Sequence, residues 1–141
     1  MQTLKTFVAD HGLTMEAEYA ESNPNMVSDE AWSRAATHYL CTLRNAEGQT
    51  MAVPFSMGPA LTEEPSIETV LDTLASDASS VADSPDWLDW AEEMGFDAER
   101  GAKGLREARE THGQIVKQSD ELKALVGDEA FEALLYNTER L

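Results

Sequence analysis

One cysteine, four lysines and no long apolar run mark this chain by what it lacks. Cys41 has no partner for an internal disulfide, which suits a reducing compartment, and one thiolate cannot build a structural zinc site. No two of His11, His38 and His112 stand at a zinc-ligand spacing on one helix. No 18 consecutive apolar residues occur, which excludes a helical membrane span. The first residues hold no apolar run of signal-peptide length, so the chain reads as cytoplasmic. Carboxylates are abundant, yet Asp83 to Met94 lacks the alternating oxygens and central glycine of an EF-hand loop. No glycine-rich phosphate loop follows a strand, because Gly101 to Gly104 lies within helical pattern. Neither a metal nor a cofactor is expected.

Bases are the other scarcity. The 141 residues carry 27 acids against 10 bases, a net charge of −17. Such a balance opposes direct binding to nucleic acid or to an anionic membrane, so the natural partner is a basic protein surface. The imbalance is local. Residues 1–99 hold 19 acids and 3 bases, whereas residues 100–141 hold 8 acids and 7 bases. Glu63 to Glu99 holds 12 carboxylates and no lysine or arginine. Ile67, Val70, Leu71, Leu74, Trp87, Leu88 and Trp90 lie among them, so this stretch is expected to fold.

The length suits one domain over 1–141, long enough to bury a core without metals or disulfides. Thr3 can cap a short helix whose face is Leu4, Phe7, Val8 and His11. Leu13, Met15, Ala17 and Tyr19 then alternate with polar residues, which predicts a half-buried strand over 13–21. Asn23-Pro24-Asn25 reads as a loop, and Asp29 to Ala36 as a helical turn carrying Trp32. Tyr39, Cys41 and Leu43 share one face of a second strand, 37–44. Met51, Val53 and Phe55 share a face of a third, 49–56. Asn45-Ala46-Glu47-Gly48 joins those two as a hairpin with glycine at its left-handed position. Pro54 cannot donate a ladder hydrogen bond, so its strand lies at an edge or ends early.

Past Gly58 the period becomes helical. Ile67, Val70, Leu71, Leu74, Ala78 and Val81 form one stripe. Ser84-Pro85-Asp86 reads as the cap, first position and first-turn acid of a short helix. Trp87, Trp90, Ala91 and Met94 make its apolar side, the pattern of a helix docking on its own core. A long helix from about Asp97 to Val126, with a break near Gly113, and a last helix from Asp128 follow. The class is α+β: a three-stranded antiparallel sheet covered on one face by C-terminal helices. It divides into a β-rich part (about 13–58), an acidic helical part (63–96) and the long and final helices (98–138).

Little of this carries chemistry. His112 sits on an apolar stripe, His38 faces away from Tyr39 and Cys41, and His11 lies near a helix end. Cys41 reads as a small core residue. Paired carboxylates doing acid–base work need a cleft, which the sequence does not display, so the chain is read as non-enzymatic. The candidate contacts are instead the acids. Glu64, Glu68 and Asp72 form an i, i+4 row; Asp86, Asp89, Glu92 and Glu93 form an arc opposite the tryptophans. Like charges at this spacing each cost a few tenths of a kcal/mol, and salt reduces the cost. If the 37 residues were one continuous helix they would rise about 55 Å, one charge per about 4.6 Å. One DNA strand places a phosphate about every 3.4 Å. The densities permit nucleic-acid mimicry. A halophilic source would also give many acids and few lysines.

The run Trp90, Glu92-Glu93-Met94-Gly95-Phe96-Asp97, followed by a charged helix ending Leu125-Val126-Gly127-Asp128, resembles small acidic proteins of phages and prophages. That group includes anti-restriction and anti-CRISPR inhibitors. The resemblance implies an accessory protein in the host cytoplasm that occupies the basic groove of a nucleic-acid-binding defence complex. The alternative is a small structural or housekeeping phage protein, a homodimer whose acidity serves only solubility.

Overall fold

A computed structural model describes residues 1–24, 36–58, 63–94 and 101–140, and of 101–103 the backbone alone. The elements are β1 (Gln2–Thr3), α1 (Leu4–Asp10), β2 (Thr14–Ala20), β3 (Thr37–Arg44), β4 (Thr50–Met57), α2 (Ile67–Asp83), α3 (Trp87–Glu93), α4 (Gly101–Val126), α5 (Asp128–Tyr136) and β5 (Thr138–Glu139). The class is α+β, as the change of hydrophobic period predicts. The helical turn expected around Trp32 and the start of the long helix expected at about Asp97 fall outside the described residues.

The sheet has the order β2-β3-β4, antiparallel throughout. Its register stacks three rungs on the core face: Met15–Leu43–Met51, Ala17–Cys41–Val53 and Tyr19–Tyr39–Phe55. The alternation of β-branched, aromatic and sulfur side chains with polar ones is what sets this register, since a slip of one residue would turn the whole set to water. Tyr19 departs from the expected pattern. It shares the core parity yet is 73% exposed, because it lies at the outer end of an edge strand. Pro54 pairs with Leu40 on β4, the other edge strand, which continues past it to Met57. On the opposite face Glu16, Glu18, Leu40 and Ala52 are exposed.

Two apolar clusters hold the helices. The larger joins Leu4 and Phe7 of α1, the sheet's core face, Val70, Leu71 and Leu74 of α2, Leu122 and Leu125 of α4, and Leu134 and Leu135 of α5. The smaller joins Val81, Trp90, Ala91, Ala108 and Ile115, tying α2, α3 and the first half of α4 together. Helix α4 runs unbroken through Gly113, so the expected break is absent. With 26 residues it is about 39 Å long and serves both clusters.

Local chemistry fixes the ends. Thr3 caps α1 by accepting from the Thr6 amide at 3.1 Å. Gly48, at φ +85°, closes the hairpin. Asn45 beside it is buried and does more than turn the chain. Its Nδ2 donates to the Leu125 carbonyl at the end of α4 and to Gln49 Oε1, each at 2.8 Å. Its Oδ1 accepts from the amides of Glu47 and Gln49. The hairpin is thereby locked onto the helix layer. A parallel pairing of β1 with β5 joins the two ends of the chain and has no counterpart in the sequence pattern, being only two residues on each side.

Candidate functional site

The seven acids singled out by sequence divide into two groups in space. Glu64 precedes α2, is exposed, and lies near enough to Cys41 to act on its thiol. Glu68 and Asp72 are half-buried on one flank of α2. Arg140 arrives there from the far end of the chain. Its guanidinium donates to the Asp72 carbonyl, to Ser76 Oγ at 3.0 Å and to Ser79 Oγ at 3.4 Å. The row that is free of bases in sequence therefore has a base beside it in the fold.

Helix α3 packs on a different flank of α2. The Trp90 indole Nε1 donates to Ser80 Oγ at 3.0 Å, and that hydroxyl donates on to the Asp77 carbonyl at 2.7 Å. At about 100° per residue, the Thr73-Asp77-Ser80 flank stands about 120° around α2 from Glu68 and Asp72. The acids thus form two patches and not one ribbon in line.

Within the α3 patch the carboxylates differ in employment. Asp86 is the N-cap, accepting from the amides of Leu88 at 2.9 Å and Asp89 at 3.3 Å. Ser84, read from sequence as that cap, instead ends α2 and donates to Glu93 Oε2 at 2.7 Å. The reason is reach: Asp86 sits immediately before the first helical amides. Asp89 and Glu92 are exposed, and Leu88 beside them is 50% exposed. Trp90 is buried, as its spacing predicts, whereas Trp87 is only half-buried, with the Arg109 guanidinium 6.0 Å from its ring centroid.

A cleft of about 390 Å³ opens between β4, α2, α3 and α4. Val53, Phe55, Leu74, Trp90 and Ile115 give it apolar walls. Thr73, Asp77, Thr111, Gln114 and Gln118 bring polar groups into it. Burial pushes the Asp77 carboxyl up to about 6 from an ordinary 3.8. In sequence Asp77 is not distinguished from its neighbours on α2. The missing signal is tertiary, since Asp77 is half-buried only because α3 and α4 pack beside that flank.

The histidines gather no catalytic set among the described residues. His38 Nδ1 lies 2.7 Å from Ser56 Oγ, which also accepts from Asn23 Nδ2 at 2.9 Å. No carboxylate among the described residues meets the other ring nitrogen. His11 meets the Phe7 ring at a tilt of 49° and borders a second cleft, of about 410 Å³, with Asp10 and Glu47 at its rim. No hydrogen bond joins these three side chains. His112 meets Trp90 edge-on at 5.4 Å, and its Nε2 is buried without a hydrogen-bond partner among the described residues. Cys41 is fully buried, and burial, followed by the Glu64 carboxylate, pushes its thiol up to about 11. It is protonated at neutral pH and faces the core, as a packing residue does. Among the described residues no group of three or more potential ligands could hold a metal ion, and no helix is long and apolar enough to cross a membrane. Compared with known proteins, the chain matches no family model, no curated protein and no solved structure.

Proposed function

We propose that this protein is a non-enzymatic binding module whose acidic helical surface engages a basic protein groove, in the manner of an inhibitor that occupies a nucleic-acid site. The observation that carries this reading is the outer arc of α3. There Asp89 and Glu92 are exposed beside an exposed Leu88, in a chain of net charge −17. An apolar side chain rimmed by charge of one sign suits a protein contact: the apolar group supplies buried area, and the charges steer and orient the encounter. Glu68 and Asp72 form a second acidic patch on α2, partly offset by Arg140. Asp86 and Glu93 act chiefly within the fold, as cap and as acceptor for Ser84. Two offset patches do not reproduce the even phosphate spacing of one DNA strand. The mimicry reading therefore rests on charge and exposure and not on spacing.

Affinity capture of the tagged protein from host lysate tests the reading. The expected result is one stoichiometric nucleic-acid-binding partner, retained at moderate salt and released by competing DNA or RNA. Capture of diffuse basic proteins that all wash off with salt would overturn it. That result, together with a stable homodimer by sedimentation, would favour a structural protein whose acidity serves solubility.

A further inference from the structure

We propose that the cleft between β4, α2, α3 and α4 is a binding site for a small organic cation, a primary ammonium on an aromatic or branched aliphatic body. This site is separate from the outer arc of α3 and does not depend on the binding reading given above. Its volume, about 390 Å³, lies within the range of small-molecule sites, and its mostly apolar walls with a few convergent polar groups are the usual composition of one.

The charge of the ligand follows from the lining. Asp77 is the one ionisable side chain that lines the cleft among the described residues; β4, α3 and α4 contribute none. His112 of α4 lies against Trp90 and does not join the lining. The Asp77 carboxylate has no hydrogen-bond partner among the described residues. Asp77 is half-buried and partly stripped of water, and an ammonium group supplies its carboxylate with a charged hydrogen-bond partner. A neutral apolar ligand would desolvate Asp77 further and return nothing. An anion would set a second negative charge beside it, in a protein already at −17.

The body of the ligand follows from the walls. Trp90 and Phe55 are aromatic side chains among the lining, and aromatic rings attract a cation and pack against its carbon skeleton. Trp90 is held in place before any ligand arrives, by its bond to Ser80 and its edge contact with His112. Gln114 and Gln118 also line the cleft, and a glutamine side chain has an amide oxygen able to accept an ammonium proton.

Phenethylammonium is a suitable probe, titrated into the full chain at about pH 7.5 and about 0.15 M salt, with heat and tryptophan fluorescence as readouts. The expected result is saturable binding at one site, with 2-phenylethanol at least about tenfold weaker. Asp77→Asn should weaken the ammonium at least about tenfold, while Asp89→Asn leaves it unchanged. For the unaltered protein, lowering the pH from about 7.5 to about 5 should cost about tenfold, as Asp77 protonates. That arm needs no variant, so it decides the matter even if Asp77→Asn folds poorly. Three results would each overturn the site: equal affinity for the alcohol, equal affinity in well-folded Asp77→Asn, or uptake that never saturates and falls equally in Asp89→Asn. The last is generic attraction to an acidic protein. Absence of any binding would overturn it as well.

Discussion

Asp77 and Cys41 are two side chains whose ionisation the fold clearly displaces, and both make their prediction at the scale of one residue. Asp77 titrates near 6 in the fold against 3.8 when free, because burial disfavours its charged form. Its contribution to stability is therefore fully present below about pH 4 and is lost as pH rises through about 6. Replacing it with Asn removes that loss. Asp77→Asn should match the parent near pH 4 and exceed it at pH 7.5 by up to about 3 kcal/mol, read from urea unfolding at the two pH values. A variant equally destabilised at both would contradict the assignment. Cys41, with its thiol pushed up to about 11, should react with a disulfide reagent at pH 8 only on the timescale of unfolding. Prompt reaction of the native protein would place it elsewhere than the core. The burial of Cys41 was legible in the alternation of β3. The partial burial of Asp77 was not, because it lies at the margin of the α2 stripe and is covered by side chains of other helices.

At the scale of elements, the junctions carry the interest. The hairpin was readable from Asn45 and Gly48, since turn geometry is local. The bond from Asn45 to the Leu125 carbonyl joins residues 80 apart and leaves no local trace. Asn45→Ala strands that carbonyl and two hairpin amides, and should cost about 1–3 kcal/mol in thermal or urea unfolding. A cost below about 0.5 kcal/mol would mean that water replaces the side chain without penalty. The α2–α3 junction makes a paired prediction. Asp86→Ala removes a cap and should cost about 1 kcal/mol, whereas Asp89→Ala, exposed and uncommitted, should stay within about 0.5 kcal/mol. Equal costs would contradict the division of labour within the arc. The cap lies two residues later than the sequence pattern predicts, because serine, proline and aspartate each suit a helix start. Only the path of the chain decides which one meets the free amides. The pairing of β1 with β5, like the placement of Arg140 beside α2, joins the C-terminus to distant segments, and periodicity does not report such contacts.

At the scale of the whole molecule, the excess of carboxylates is the dominant property. It was fully visible in composition, whereas its division into two patches required the fold. Self-repulsion at a net charge of −17 should make the protein gain stability with added salt, as screening shortens the reach of each charge. A melting temperature that rises steadily with sodium chloride at pH 7.5 is the expected outcome. A flat profile would mean that local pairs such as Arg140 with α2 already balance the field. The central claim, that the outer arc of α3 is a contact surface, is tested most directly by one comparison. The affinity of the captured basic partner is measured for the parent protein and for the double variant Asp89→Lys with Glu92→Lys, which spares the capping Asp86 and the Ser84-bound Glu93. The account predicts that affinity falls about 100-fold or more with the melting temperature almost unchanged, because like charges set against each other across an interface cost several kcal/mol. An unchanged affinity would contradict it and leave those carboxylates as solvated surface.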